Sequence, residues 1–413
     1  MLNKKFLIVC LAMVVDPLIV ESYNPLVSVL KTAFSVNVEL IALSLTFHMM
    51  PLAILSLFSG SLSDLYYRPR ILIYGLFISS IGTLLAAISP NITVFLLSRS
   101  VQGVGSALIM PIALALIGDI TPKEKIGKAM GFSGVISGLF GATLGPLVSG
   151  FLGGIEWRLL PLLFFAYSLI LGILARIILR GLATSQKKGS VSLVFHQIRQ
   201  TAGNRNIALL SAAWFISVFT FQGIMPLISD VFSLPPLLMK KIEIGIIFSI
   251  VGFVGILSSF LGGILADKIG ARKNMVFGFL MMLPPMFLLT FANSYWSYLV
   301  LLPALSSFNR LVFVSRSALA VELTPEARGT ASSILTFAGF LGFASAPVAL
   351  TQIYTTFGIN SIYLLNVFLL LLSVIFAALI RMDYRQNRAS MAKISTSRTR
   401  ATSLWQFFLL FRQ

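Results

Sequence analysis

The chain has 413 residues, 57% of them hydrophobic and 11% charged, with a net charge of +18. A soluble domain carries about 25% charged residues, so the composition excludes a soluble globular protein and points to a polytopic membrane protein. A single cysteine, Cys10, excludes an internal disulfide and a cysteine-based metal cluster.

Twelve apolar runs are predicted in chain order, at 6–30, 39–59, 71–88, 93–117, 129–152, 159–180, 207–229, 243–265, 275–292, 297–321, 330–354 and 360–381. Most are about 20 residues long, which fits helices crossing a ~30 Å hydrocarbon core. The short apolar–polar alternation of a membrane barrel is absent. The basic start before Phe6 imitates a signal peptide, but the run is long and has no clear small-residue cleavage site, so it is expected to be the retained first span. The chain divides into a first half, 1–180, a central loop, 181–206, a second half, 207–381, and a basic tail, 382–413. The loop's VSLVFHQI portion is expected to lie on the membrane surface. The tail, rich in Ser and Thr, is expected to be disordered. Its last stretch, SLWQFFLLFRQ, is too short to span.

Placing both termini on one side gives that side 24 of the 31 Lys and Arg, against four on the other and three within spans. This asymmetry obeys the positive-inside rule and predicts cytoplasmic termini. It also explains the net charge topologically and removes a nucleic-acid partner.

The first run holds two carboxylates, Asp16 and Glu21, the only acids well inside any apolar run. Intramembrane acids are costly and mark ion or proton pathways. From helix rise, Asp16 lies ~15 Å and Glu21 ~22 Å from the inner boundary, while His48 lies ~14 Å and Arg99 ~9 Å from the outer one. An ion pair between Glu21 and Arg99 is expected, with Asp16, near the midplane and His48, the better carrier of an exchangeable proton. Either acid or both exchange a proton between the two faces, tuned by Arg99. In span 10, Asn309 and Arg310 are expected to line the cavity with His48 and Gln102, Arg310 receiving an anionic group of a substrate. Arg316, near the inner end, is expected to snorkel.

Two signatures repeat at one offset. Gly60, Leu62, Asp64 and Arg70 stand 203 residues before Gly263, Leu265, Asp267 and Lys273. DITPKEK at Asp119 and ELTPEAR at Glu322 are related by the same 203. Two parallel six-span repeats follow, the build of a transporter with its site between the repeats. On these residues the chain resembles the major facilitator superfamily, essentially to Arg381. The resemblance implies an all-α membrane fold of twelve helices in two pseudo-symmetric halves. It also implies a conformational latch at Gly60, Asp64, Arg68 and Arg70 and again at Gly263, Asp267, Arg272 and Lys273. The first copy departs from the family pattern at Leu65 and Tyr67.

Span 5 carries G-x-x-x-G-P at Gly141, Gly145 and Pro146, similar to a signature of antiporter branches. Physically it permits close helix approach and a bend. Gly342, Ala346 and Pro347 echo it at offset 201. Arg99, Gln102 and Gly103 resemble the family's span 4 signature, and Asp16 with Pro25 has the spacing of the span 1 signature of drug/proton antiporters. No phosphate loop, catalytic cluster or metal-ligand spacing is found, so no cofactor and no enzymatic role are expected. The partners expected are the lipid bilayer, protons and a small-molecule substrate. The resemblance implies a monomeric, proton-coupled exporter of amphipathic or drug-like molecules in a bacterial-type inner membrane. The alternative is a symporter or facilitator taking up a metabolite.

Overall fold

A computed structural model describes residues 3–122, 125–182, 191–324 and 326–381, with backbone only at 59–65 and 191–196. The tail 382–413, including SLWQFFLLFRQ, and residues 183–190 of the central loop lie outside the described residues; so do the side chains of Asp64 and of its neighbours from position 59 to 65. The described residues up to Ala378 form one compact unit.

Among the described residues, twelve helices are long and apolar enough to cross a membrane. They are α1 Lys4–Phe34, α2 Val38–Leu65, α3 Arg68–Ala87, α4 Ile92–Ile120, α5 Ile126–Leu152 and α6 Leu159–Ile178 in the first half. The second half has α7 Arg205–Phe232, α8 Lys241–Ile269, α9 Ala271–Phe291, α10 Tyr295–Leu323, α11 Arg328–Phe357 and α12 Ile359–Leu379. A short helix, Val191–Ala202, precedes α7. The end of the bundle that starts α1 at Lys4 is called here the basic end, and the opposite one the far end. Starts are set by polar caps: the Asn91 side chain accepts the Val94 amide at 3.0 Å, and Asn204 that of Ile207 at 3.4 Å.

Prolines decide where the spans break. A proline frees the carbonyl four residues earlier and crowds it. Pro17 therefore disrupts α1 at Met13, and Pro25 at Glu21. The span runs as Lys4–Ala12, Val15–Glu21, a 3₁₀ turn at Asn24–Leu26, then Val27–Phe34. Pro226 acts on Gln222, where the first segment of α7, Arg205–Gln222, ends. Pro146 follows a π-helical stretch of α5, Gly138–Leu144.

The halves meet along two seams, α2 with α11 and α5 with α8. The π stretch exposes backbone carbonyls to α8. Ser249 Oγ donates to the Thr143 carbonyl at 2.6 Å, and Gly252 abuts the Ala142 carbonyl, where any side chain would collide. On the other seam Thr46 Oγ1 donates to the Ala344 carbonyl, also at 2.6 Å. Thr46 and Ser249 are 203 apart and Thr143 and Ala344 are 201 apart, so the repeat read in the sequence reappears as a pair of equivalent bonds across the seam.

The two ends differ. Among the described residues, every hydrogen bond between the halves lies from mid-span to the far end: Gln222 to Glu21, Thr46 to Ala344, Ser249 to Thr143, Lys31 to Asp230, Lys241 to Ser28 and Thr355 to Glu39. At the basic end, Gly127, Gly131 and Gly134 of α5 and Gly329 of α11 face open space. The far end of the bundle is thus tied across the halves by hydrogen bonds.

Candidate functional site

The break in α1 places its two acids in different surroundings. Asp16 lies in the short segment between the turns and is 8% exposed. Its Oδ1 lies 3.0 Å from Nε2 of His48 in α2, which is fully buried. His48 is brought there because Gly103 of α4 lets the His48 carbonyl approach so closely that any Cβ at position 103 would strike it. The family-like glycine after Gln102 is thus a packing requirement for the Asp16–His48 contact.

Glu21 turns to the seam. Its Oε1 accepts from Gln222 Nε2 at 3.1 Å, and Oε2 accepts from Asn24 Nδ2 at 3.2 Å. Both partners in the 21–222 bond sit four residues before a proline, in related positions of the two halves. Arg310 of α10 is close enough for its charge to act on Glu21, and Asp16 acts on it from below.

The ion pair expected between Glu21 and Arg99 is not made. Arg99 is fully buried, donates from Nη1 to Gln102 Oε1 at 2.5 Å and lies 4.3 Å from the centre of the Tyr23 ring. Tyr23, two residues on from Glu21 and so about 200° around the helix from it, faces α4, and a cation–π contact stands where a carboxylate was expected. His48 and Gln102 were expected in the wall of the cavity. Both are fully buried, and α2 packs closely on α4 at Gly103.

The second half supplies cations. Asn309 is buried and donates to Ser217 Oγ at 2.9 Å, bracing α10 on α7. Arg310 and Arg316 flank the Phe313 ring at 5.8 and 5.0 Å, and Arg316 also lies 4.7 Å from the Trp214 ring. Arg316, expected to snorkel, instead stacks inward. Trp214 fits because Gly339 of α11 has no side chain to displace it. The Nε atoms of Arg310 and Arg316 are buried without a hydrogen-bond partner.

The α5 signature packs against α1: Gly141 on Pro17, and Gly145 on Ser22. Its second-half counterpart inverts the contact, with Gly223 of α7 against Ala346 of α11. Of the expected latch, Arg68 is paired with Asp119 at 2.7 Å within the first half, and Arg272 donates to the Ala378 carbonyl within the second. Arg70 lies 5.7 Å from the centre of the Tyr67 ring. Among the described residues, no bond from Arg70, Asp267, Arg272 or Lys273 links the two halves. Gly60 and the Asp64 side chain fall on positions of which the backbone alone is described, and Gly263 faces open space.

Sequence reasoning missed Asp230. It stands one residue beyond the predicted seventh run, yet α7 continues to Phe232 and leaves it 2% exposed. Lys31 donates to it at 2.6 Å and Tyr354 at 3.0 Å, joining α1, α7 and α11 at the far end. Gln222 was missed too, although the 201 offset applied to Glu21 leads to it. Among the described residues, no three His, Cys, Asp or Glu side chains gather where a metal ion could be held.

Twelve apolar helices in two repeated halves, with acids and arginines turned inward at mid-span, define a membrane transporter. A family model described as Major Facilitator Superfamily matches residues 9–240 and 207–412, and the chain belongs to that superfamily. An uncharacterized MFS-type transporter of Bacillus subtilis, YceJ, is 26% identical over 330 residues, 77% of this chain and 81% of its own. Quinolone resistance protein NorA of Staphylococcus aureus is 33% identical over 139 residues, 34% of either chain. The riboflavin transporter RibZ of Clostridioides difficile is 29% identical over 35% of this chain and 31% of its own. The last two similarities thus span about a third of each relative. These relatives support the resemblance to the drug/proton antiporter branch. A solved bacterial homolog of the human lysosomal transporter Spinster, inward-facing and unoccupied, shares the fold at TM-score 0.72 and 17% identity, over 91% of this chain and 96% of that one.

Proposed function

We propose that the chain is a proton-coupled antiporter that exports small amphipathic or drug-like molecules by alternating access. It works as a monomer whose halves, 1–180 and 207–381, rock about the seams and are joined by the loop 181–206. The basic end is cytoplasmic, in keeping with the positive-inside rule. The membrane is a bacterial-type inner membrane, the relatives being bacterial.

The observation that carries this reading is the bond from Gln222 to Glu21. It places an ionisable acid on the contact between the two halves. A carboxylate is a charge-assisted acceptor, and its neutral form accepts more weakly. Proton uptake at Glu21 therefore loosens one half from the other, which is the linkage an alternating carrier needs. Asp16 and His48 form the second exchangeable pair. Arg99 holds a positive charge beside them, and its charge acts on Asp16. The stack of Arg310, Phe313, Arg316 and Trp214 forms the substrate wall, with Asn309 fixing α10 behind it.

The similarity to a riboflavin transporter favours a second reading, uptake of a metabolite by proton symport. Proteoliposomes with an imposed pH gradient separate the two. Amphipathic dyes, cationic and carboxylate-bearing, are offered on one side. Accumulation against the direction of proton flow is expected; accumulation along it overturns antiport.

A further inference from the structure

Beside the transport pathway, at the basic end, α3 and α6 border a cavity of about 1130 Å³. Arg70 enters it from α3, Arg176 from the last turn of α6, and Arg180 from the turn just beyond it. Tyr67 and Tyr74 stand among them, and Phe77 continues the wall toward mid-span. The Tyr67 hydroxyl donates to the Leu179 carbonyl at 3.3 Å, fixing the start of α3 on the end of α6.

The charge of this cavity is unbalanced. Among the described residues, no Asp or Glu lines it, and none of the three arginines forms an ion pair. Arg68, two residues from Arg70, shows the contrast: it faces Asp119, and its Nη1 reaches both carboxylate oxygens at 2.7 Å. Cations gathered about one cavity repel each other, and an anion among them relieves the repulsion. Arginine is the side chain whose planar fork matches a phosphate. The tyrosines stand at the level where aromatic rings meet lipid headgroups. The exposed Ile177 offers an apolar surface in the same wall. The volume exceeds the roughly 300–1,000 Å³ of a drug-sized pocket.

We infer that this cavity binds the phosphate headgroup of an anionic glycerophospholipid from the leaflet at the basic end, with Arg70, Arg176 and Arg180 holding the phosphate and the apolar wall receiving the start of an acyl chain. Basic pockets between spans on this side of a membrane protein are where such headgroups bind. Inorganic phosphate shares the chemistry, but has no use for the apolar wall. Arg70, expected in a latch between the halves, is here a lipid ligand on the outer side of the first half.

The test is native mass spectrometry of the full chain in detergent, titrated with phosphatidylglycerol, phosphatidylcholine or inorganic phosphate. Wild type is expected to retain phosphatidylglycerol over phosphatidylcholine by about tenfold or more. The triple variant Arg70→Gln, Arg176→Gln, Arg180→Gln is expected to lose that preference. A control variant, Lys125→Gln, Lys128→Gln, Lys268→Gln, removes the same charge from exposed basic-end positions outside the cavity and is expected to keep it. The site is overturned if the arginine variant retains the preference, if the control loses it equally, or if inorganic phosphate displaces the lipid. Single Arg→Lys variants, which keep the charge, are expected to weaken retention less than Arg→Gln; equal losses from both also overturn the assignment.

Discussion

α1 and α7 occupy equivalent places in the two halves, and they differ in what their breaks carry. Offset by 201 residues, Pro25 matches Pro226, Glu21 matches Gln222, Asp16 matches Ser217, and Pro17 matches Val218. Both helices break before the shared proline. α1 has a second break at Pro17 and acids at the two equivalent polar positions, where α7 has an amide and a hydroxyl that hold no exchangeable charge near neutrality. Arg310 and Arg316 lie on α10 and have no basic counterpart on α4 at the repeat offsets, which land on Ala107, Ile109, Ala113 or Ala115. One backbone design has been divided into a half that carries both acids, with Arg99 and Tyr23 beside them, and a half whose arginines, Arg310 and Arg316, stack with Phe313 and Trp214. The bond between residues 21 and 222 is where the two chemistries touch.

The most severe way to break this comparison is to remove the acid at the seam. Glu21→Gln is expected to reduce pH-driven transport by about tenfold or more, the scale of losing one charge-assisted bond. Exchange of substrate across proteoliposomes without a gradient should persist. The sharper form is the double variant Glu21→Gln with Gln222→Glu, which moves the acid into the second half while keeping donor opposite acceptor. If contact with Gln222 is what matters, pH-driven flux returns in part. Full activity in Glu21→Gln alone would mean that the seam acid carries no coupling.

A smaller effect is expected at Asp16. Asp16→Asn keeps an oxygen for His48 but removes the negative charge, so transport falls by about fivefold, for a hydrogen bond weakened rather than lost. The thermal unfolding midpoint should hardly move, because the packing is unchanged. Gly103→Ala should do the reverse. Its Cβ would strike the His48 carbonyl, and overpacking of this kind costs about 1–3 kcal/mol, read as a lower unfolding midpoint. A Gly103→Ala protein as stable as wild type would show that α2 and α4 are not held together as described.

The architecture was legible because it rests on long-range regularities: run lengths, basic joints and a fixed offset. Pro17, Pro25 and Pro226 were also visible, and with them the carbonyls they free. The orientation of Glu21 was not. Counting 1.5 Å per residue put Glu21 level with Arg99, but residues two apart lie about 200° apart around a helix, and here Glu21 faces the seam and Tyr23 faces α4. Rise gives depth and leaves azimuth open. Burial was likewise hidden. His48 and Gln102 read as pathway residues by type, but both are fully buried, and α2 packs closely on α4 at Gly103. Asp230 escaped notice because hydropathy ends a span where the charge begins, whereas a partner on another helix lets the span continue past it.

The smallest expected effect concerns the far end, where the same division of charge appears in reverse: the base, Lys31, is on α1 and the acid, Asp230, on α7. Lys31→Gln removes the ionic part of this contact but leaves Asp230 its bond from Tyr354, and the links from Lys241 to Ser28 and from Thr355 to Glu39 remain. Lys31 is 27% exposed at its side chain, so solvent screens the pair and its worth is within the ~0–1 kcal/mol of exposed pairs. A shift of that size toward the state open at the far end raises the accessibility of residues now sealed there by about threefold. Leu30, 1% exposed, is a suitable reporter as Leu30→Cys, since the natural Cys10 is buried. Labelling from the far side with a membrane-impermeant maleimide should rise when Lys31→Gln is added. Unchanged or slower labelling would show that Lys31 and Asp230 do not hold the far end shut, and that closure rests on the backbone packing of α5 on α8 and of α2 on α11.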